Sequence, residues 1–178
     1  MTRKADLMTG DEVRRTLMRM SHQIVERNNG TGNICLVGVK RRGVPLAERI
    51  AANIEIIEGA SVPLGTLDIT LYRDDLEQIQ PSPELHSSDI PFSVDGKIII
   101  LVDDVIYTGR TARAAIEAIF TYGRPAQIQL AVLIDRGHRE LPFRPDYVGK
   151  NIPTSHSEIV SVLVDAYDGR TGVELYVK

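Results

Sequence analysis

Two adjacent carboxylates, Asp103 and Asp104, stand between an aliphatic run and a turn ending in Thr108-Gly109-Arg110-Thr111, where the spacing predicts that a helix starts. Carboxylates repel phosphate. A hydroxyl- and glycine-rich helix start attracts it, because the first N–H groups of a helix have no partners inside the helix and lie at its positive end. A ligand that satisfies both halves carries a phosphate at one end and neutral vicinal hydroxyls beside it, as ribose 5-phosphate does. The two aspartates would accept from the hydroxyls or hold Mg²⁺ through water. One aspartate ending a strand, or one threonine capping a helix, would be ordinary; the pair followed by this turn is not. No G-x-x-x-x-G-K-[ST] occurs, so this is not a Walker loop.

A second polar turn, Lys40-Arg41-Arg42-Gly43, follows the apolar run 34–39, ICLVGV. Its cations and backbone donors suit a more highly charged group such as pyrophosphate. Most basic runs are solvated surface. The place of this one, between a buried strand and a helix, favours a ligand.

The elements that must position these turns are legible from periodicity. Thr9 with Glu12 has the form of a capping box for a helix over 10–28, with Val13, Leu17, Met20 and Ile24 inward. A strand is predicted over 34–39, then a helix with Leu46, Ile50, Ile54 and Ile57 inward, then a strand over 62–70. Segment 71–95 turns polar and carries Pro81, Pro83 and Pro91, which marks a functional or mobile loop. Further strands are predicted over 97–102, 126–135, 147–149, 159–166 and 173–177, with a helix over 111–122. Strands alternating with helices, the best of them unbroken aliphatic runs, define one α/β domain over 1–178 with a mainly parallel central sheet flanked by helices. Ligands of such sheets bind beyond the carboxyl ends of the strands, at a switch point. Both polar turns fall at such ends.

Composition bounds the rest. The formal net charge of −3 argues against whole-surface attraction to nucleic acid and leaves room for a local basic face. At 100° per residue Arg15, Arg19 and His22 share a stripe of the first helix opposite its apolar face, flanked by Arg14 and Arg27. A lone cysteine, Cys35, permits no intrachain disulfide and points to a reducing, cytoplasmic compartment. No apolar stretch is long enough to cross a membrane, the N-terminus lacks a signal-peptide core, and no spacing indicates zinc.

Residues 102–111, VDDVIYTGRT, resemble the phosphoribosyl-pyrophosphate (PRPP) motif of type I phosphoribosyltransferases. ERNNG, GVKRRGVPLA, DITLYRDDL and the long segment from GRPAQIQ through RGHRELP to NIPTS extend the likeness to the bacterial pyrimidine-operon regulators of that family, over about 11–157. The resemblance implies a type I phosphoribosyltransferase fold, a hood formed by the termini and 136–157, and a mobile loop at about 71–95. It implies conversion of uracil and PRPP to UMP and pyrophosphate with Mg²⁺, and UMP-responsive binding of pyrimidine-operon leader RNA by a homo-oligomer, dimer or higher.

Carried onto this chain, the PRPP motif takes in strand residues Ile99, Ile100, Leu101 and Val102 and the ribose- and metal-holding Asp103 and Asp104. The 5′-phosphate loop is Val105, Ile106, Tyr107, Thr108, Gly109, Arg110 and Thr111. Lys40, Arg41 and Arg42 match the pyrophosphate loop, and Arg73 reaches the pyrophosphate. Asp135, Arg136, Tyr147 and Ile152 build the base pocket. The RNA face takes Arg15, Arg19, His22 and Arg27 together with His138, Arg139, Arg144 and Lys150. Two other readings stay open: a salvage phosphoribosyltransferase without RNA binding, and a regulator that uses the fold only to sense nucleotides.

Overall fold

The computed structural model describes residues 1–74 and 87–178. Helix α1, Gly10–Arg27, begins as its sequence dictates: the Thr9 hydroxyl accepts from the Glu12 N–H at 3.2 Å, and the Glu12 carboxylate accepts from the Thr9 N–H at 2.7 Å. This reciprocal box satisfies two backbone donors that the helix itself leaves free. Val13, Leu17, Met20 and Ile24 are buried as the spacing predicts.

Five strands form a parallel sheet: β2 (Ile34–Val39), β3 (Leu64–Leu67), β4 (Ile98–Ile106), β5 (Gln127–Asp135) and β6 (Tyr147–Asn151), in the order β3-β2-β4-β5-β6. Alternation along the strands sends Leu36, Ile100, Val102 and Leu133 into one core with α1 and α2 (Gly43–Glu58). Cys35, Val37, Ile99 and Leu101 enter a second core with α3 (Arg110–Phe120). Each fully buried aliphatic side chain contributes about 1.5–3 kcal/mol. With both faces covered, the strands must read as continuous apolar runs, and they do. The strand order reverses between β2 and β4, so the carboxyl ends of these neighbours form the switch point where crevices open.

A second sheet, antiparallel and in the order β1-β8-β7, is built from β1 (Thr2–Met8), β7 (Glu158–Leu163) and β8 (Gly172–Val177). A single helical turn, α4 (Asp165–Asp168), joins β7 to β8. Val160, Val162, Val173 and Leu175 bury their side chains in the α1/α2 core, which docks this sheet onto the first.

The structure corrects several expected boundaries. Strand β4 runs to Ile106 rather than ending at Val102: its ladder with β5 continues through Asp103↔Val132, Val105↔Ile134 and Ile106↔Asp135. Segment 62–70 is strand only over Leu64–Leu67, because Asp68 turns the chain by accepting from the Thr70 N–H at 3.0 Å and the Thr70 hydroxyl at 2.6 Å. β1 was not expected. Within 71–95, a 3₁₀ turn at Thr70–Tyr72 leads in, Asp89 and Thr66 exchange backbone bonds of 2.8 and 2.9 Å, and Val94 is buried. The middle of the expected mobile loop, 75–86, lies outside the described residues.

Candidate active site

Residues Ile99 to Val102 are buried, so their part is to carry Asp103 and Asp104 to the cleft. The backbone there is tied by the acids themselves: Asp103 Oδ1 accepts from the Asp104 N–H at 2.9 Å, and Asp104 Oδ1 from the Val105 N–H at 2.8 Å. Burial first, and then the charge of Asp104, holds the Asp103 carboxyl well above the ordinary carboxylate range. Asp104 is raised too, again by burial, and Arg42 works in the opposite direction. Two acids that resist ionising side by side are primed for a ligand that brings positive charge or hydroxyl donors.

Beyond Ile106 the chain turns through Tyr107, Thr108 and Gly109 into α3. Gly109 caps the helix with φ 95°, a left-handed conformation that suits glycine. The Arg110 N–H donates to Thr108 Oγ1 at 3.3 Å. A cleft of about 330 Å³ opens here, lined by Arg73, Asp103, Val105, Ile106, Tyr107, Thr108, Gly109, Arg110, Thr111 and Glu140 among others. The loop predicted to cradle phosphate is thus gathered at one helix N-terminus. Its arginine is shared with acids: Arg110 pairs with Asp74 at 2.8 Å and with Glu140 at 3.0 Å.

A larger cleft, about 720 Å³, joins the two polar turns. Lys40 and Arg41 line it together with Asp103, Asp104, Val105 and Thr111, and with Asp68, Ile69, Thr70 and Arg73. Arg73 borders both clefts. Lys40 Nζ bonds to the Ser87 hydroxyl at 2.9 Å, Arg42 pairs with Asp168 at 2.9 Å, and the Arg41 guanidinium lies 4.9 Å from the Tyr167 ring centre. Gly43 lets this turn approach the acids: a Cβ there would stand 2.4 Å from the Val102 carbonyl oxygen. Asp68 was missed because a single aspartate between Leu67 and Ile69 carries no motif.

The base-side residues divide. Asp135 and Ile152 adjoin, the Ile152 N–H donating to the Asp135 carbonyl at 2.8 Å. Arg136 is buried; it donates to Thr154 Oγ1, Ser155 O and Glu158 O at 3.1, 3.2 and 2.7 Å and stacks on Tyr107 at 4.0 Å. A recess of about 510 Å³ lies among Asp135, Arg136, His138, Asn151 and Thr154. Tyr147 is not brought there. It pairs with Ala131, four residues before Asp135, and its hydroxyl donates to Gln129 Oε1 at 2.7 Å and accepts from Asn28 at 3.2 Å. His156, which no motif singled out, lies against two of these residues: its ring is 4.0 Å from that of His138 and its Nδ1 3.3 Å from the Tyr107 hydroxyl. Forty-nine residues separate it from Tyr107, so no local pattern could reveal it.

Of the basic residues, Arg15, Arg19, His22, Arg144 and Lys150 are exposed. Arg19 reaches across from α1 to the Gly149 carbonyl at 2.5 Å, which puts the helix stripe beside Lys150 on β6. Arg27 pairs with Asp146 at 2.9 Å, and His138 packs on His156. Arg139 turns inward onto Phe143 O, Tyr107 O and Asp135 Oδ2 at 2.9, 2.9 and 2.5 Å.

Fold and site together define a phosphoribosyltransferase: residues 7–167 match the phosphoribosyl transferase domain family. The fold is also that of the hypoxanthine phosphoribosyltransferase of Trypanosoma cruzi (TM-score 0.72, 20% identity, 98% of this chain and 97% of that one). A Staphylococcus aureus hypoxanthine phosphoribosyltransferase gives TM-score 0.73 at 17% identity, over 99% of this chain and 93% of that one. Much nearer in sequence is the bifunctional protein PyrR of Pelotomaculum thermopropionicum, 62% identical over 170 residues, 96% of this chain and 94% of that protein. The bifunctional protein PyrR of Thermus thermophilus is 58% identical over 173 residues, 97% and 96% of the two chains. The chain belongs to the phosphoribosyltransferase family, in its PyrR group. Among the described residues, no helix is long and apolar enough to cross a membrane.

Proposed function

We propose that this protein transfers the phosphoribosyl group of PRPP to uracil, giving UMP and pyrophosphate, and that with UMP bound it grips the leader RNA of a pyrimidine operon. The observation that carries the enzymatic half is the cleft that Asp103 and Asp104 share with Lys40 and Arg41, next to a glycine-capped helix start. The N–H groups and hydroxyls of 108–111 hold the 5′-phosphate. Asp103 and Asp104 take the ribose hydroxyls. Lys40, Arg41, Arg42 and Arg73 take the pyrophosphate. As the C1′–O bond breaks, positive charge grows on the ribose ring, and carboxylates beneath it stabilise that charge while the cationic turn stabilises the leaving group. The base nitrogen attacks from the Asp135–Ile152 side as its N–H bond breaks, its proton passing to solvent or to the departing pyrophosphate.

Two carboxylates suit Mg²⁺, which keeps several waters and takes its other ligands from substrate phosphates. Among the described residues, no three acidic, histidine or cysteine side chains cluster as a dedicated metal cage. Asp103 and Asp104 would hold the ion, which supplies charge neutralisation on the departing pyrophosphate.

For the RNA half, support comes from Arg19, Lys150 and the exposed Arg15 and Arg144, whose cations can contact phosphates locally despite the net charge, with His22 exposed on the same helix. The reading includes a cytoplasmic home, in keeping with the free, buried Cys35, and a homo-oligomeric state. An assay of UMP formation from uracil and PRPP, with Mg²⁺ and with EDTA, tests the enzymatic half. Metal-dependent UMP and pyrophosphate in equal amounts are expected, and no UMP under any condition would overturn it.

A further inference from the structure

The 5′-phosphate loop is held from behind by one side chain. Arg139 lies on the segment between β5 and β6, and its side chain is about three-quarters buried, with 23% exposed. Its Nη1 donates to the Tyr107 carbonyl at 2.9 Å, its Nε to the Phe143 carbonyl at 2.9 Å, and its Nη2 to Asp135 Oδ2 at 2.5 Å. Around it the Glu140 and Leu141 N–H groups both donate to the Thr108 carbonyl, at 2.9 and 3.1 Å. Phe143 and Leu141 pack 3.4 and 3.5 Å from where a Cβ on Gly109 would stand. Asp135 is fixed in turn by the Gly137 N–H at 2.9 Å.

We propose that Arg139 is a positioning residue that fixes the distance between the 5′-phosphate loop and the base-side end of β5. This rests on the nucleotide reading above and deepens it. A guanidinium presents five N–H donors in a rigid plane, so one group can serve three acceptors in diverging directions. An ammonium can replace the charge and not the fork. Arg139 also borders the recess at the base-side end of β5, and its three bonds tie that end to the loop, so its effect falls on ligands that span both. Ligands that span two sites gain from having both preset at the correct separation; a ligand occupying one site does not.

The test compares wild type with Arg139→Lys and Arg139→Gln. UMP and uridine affinities are measured by calorimetry, the KM for PRPP by assay, and the fold by circular dichroism melting. Both variants are expected to lose about tenfold in UMP affinity, with uridine affinity and the KM for PRPP, which carries no base, nearly unchanged. A UMP-to-uridine ratio equal to wild type in both variants would overturn the clamp, as would equal losses for both ligands, which mark general loosening. Should the lysine variant fail to fold, the ratio is read in Asp135→Asn, which keeps an oxygen in place and removes its charge. A smaller fall in the ratio is expected there, and an unchanged ratio would overturn the proposal. Absence of UMP synthesis by wild type would count against the enzymatic reading, while the binding ratio would still decide the clamp.

Discussion

The Arg110 guanidinium and the Glu140 carboxylate meet at 3.0 Å beside the helix start proposed to cradle phosphate. The hydrogen bond that Arg110 donates to Glu140 and the charge of Asp74 both favour the charged arginine. A phosphate entering the cradle must compete with Glu140 for this cation. Glu140→Gln keeps the backbone bond to Thr108 and removes the competitor. It is expected to lower the KM for PRPP by about two- to fivefold, the scale of an exposed ion pair. An unchanged or higher KM would contradict that competition.

The acid pair sets function against stability. Asp104→Asn retains an oxygen to accept the Val105 N–H and loses the charge proposed to serve ribose and metal. Turnover should fall by two orders of magnitude or more, about what a charge-stabilising group is worth, with an unchanged circular dichroism spectrum. A folded variant with near-normal UMP synthesis would sink the assignment.

Asp103→Asn should melt higher than wild type at neutral pH. Burial raises the folded-state pKa of Asp103 above its unfolded value of about 3.9. The folded chain therefore holds this proton longer than the unfolded chain does. Stability declines as pH rises from the unfolded value through the raised one, and stays low above it. Asparagine has no such decline, so the gap between variant and wild type should close near pH 4 and open toward pH 7. Parallel melting curves across that range would show that the carboxyl is not strained by ionisation.

Gly149 lets α1 lie against β6. A Cβ there would stand 2.4 Å from the Leu133 carbonyl oxygen and 2.9 Å from Thr16 Cγ2. Gly149→Ala is expected to cost about 1–3 kcal/mol, as overpacking does, measured by urea unfolding. RNA affinity should fall with it, because the Arg19 stripe shifts away from Lys150. Wild-type stability would show that the strand and helix can part without strain.

Much of the candidate site was legible because its residues are contiguous. Residues 102–111 carry the acids, the glycine and the hydroxyls in ten positions, and residues 40–43 carry the cations in four. Helix α1 was equally plain, since Thr9 and Glu12 announce its start. The structure adds what only folding brings together. β1 carries Arg3, Lys4 and Asp6 among its seven residues and lies against β8 with register shifts after Arg3 and Asp6, so it shows no clean alternation. β4 looked shorter than it is because ionisable residues at its end suggest a loop, whereas the ladder with β5 carries them as strand. Tyr147 lies on the expected strand, yet the register with β5 sets it away from Asp135. Arg139 belonged by sequence to a basic cluster, and only the folded chain shows its three inward acceptors.

The most direct test is a filter titration of the full chain against the leader RNA of its own pyrimidine operon, with and without saturating UMP, at several salt concentrations. Binding that tightens with UMP and weakens steeply as salt rises is the predicted result, since phosphate contacts release counterions. No binding in either state would contradict the regulatory half of the account and leave a uracil phosphoribosyltransferase whose helix stripe is simply solvated surface.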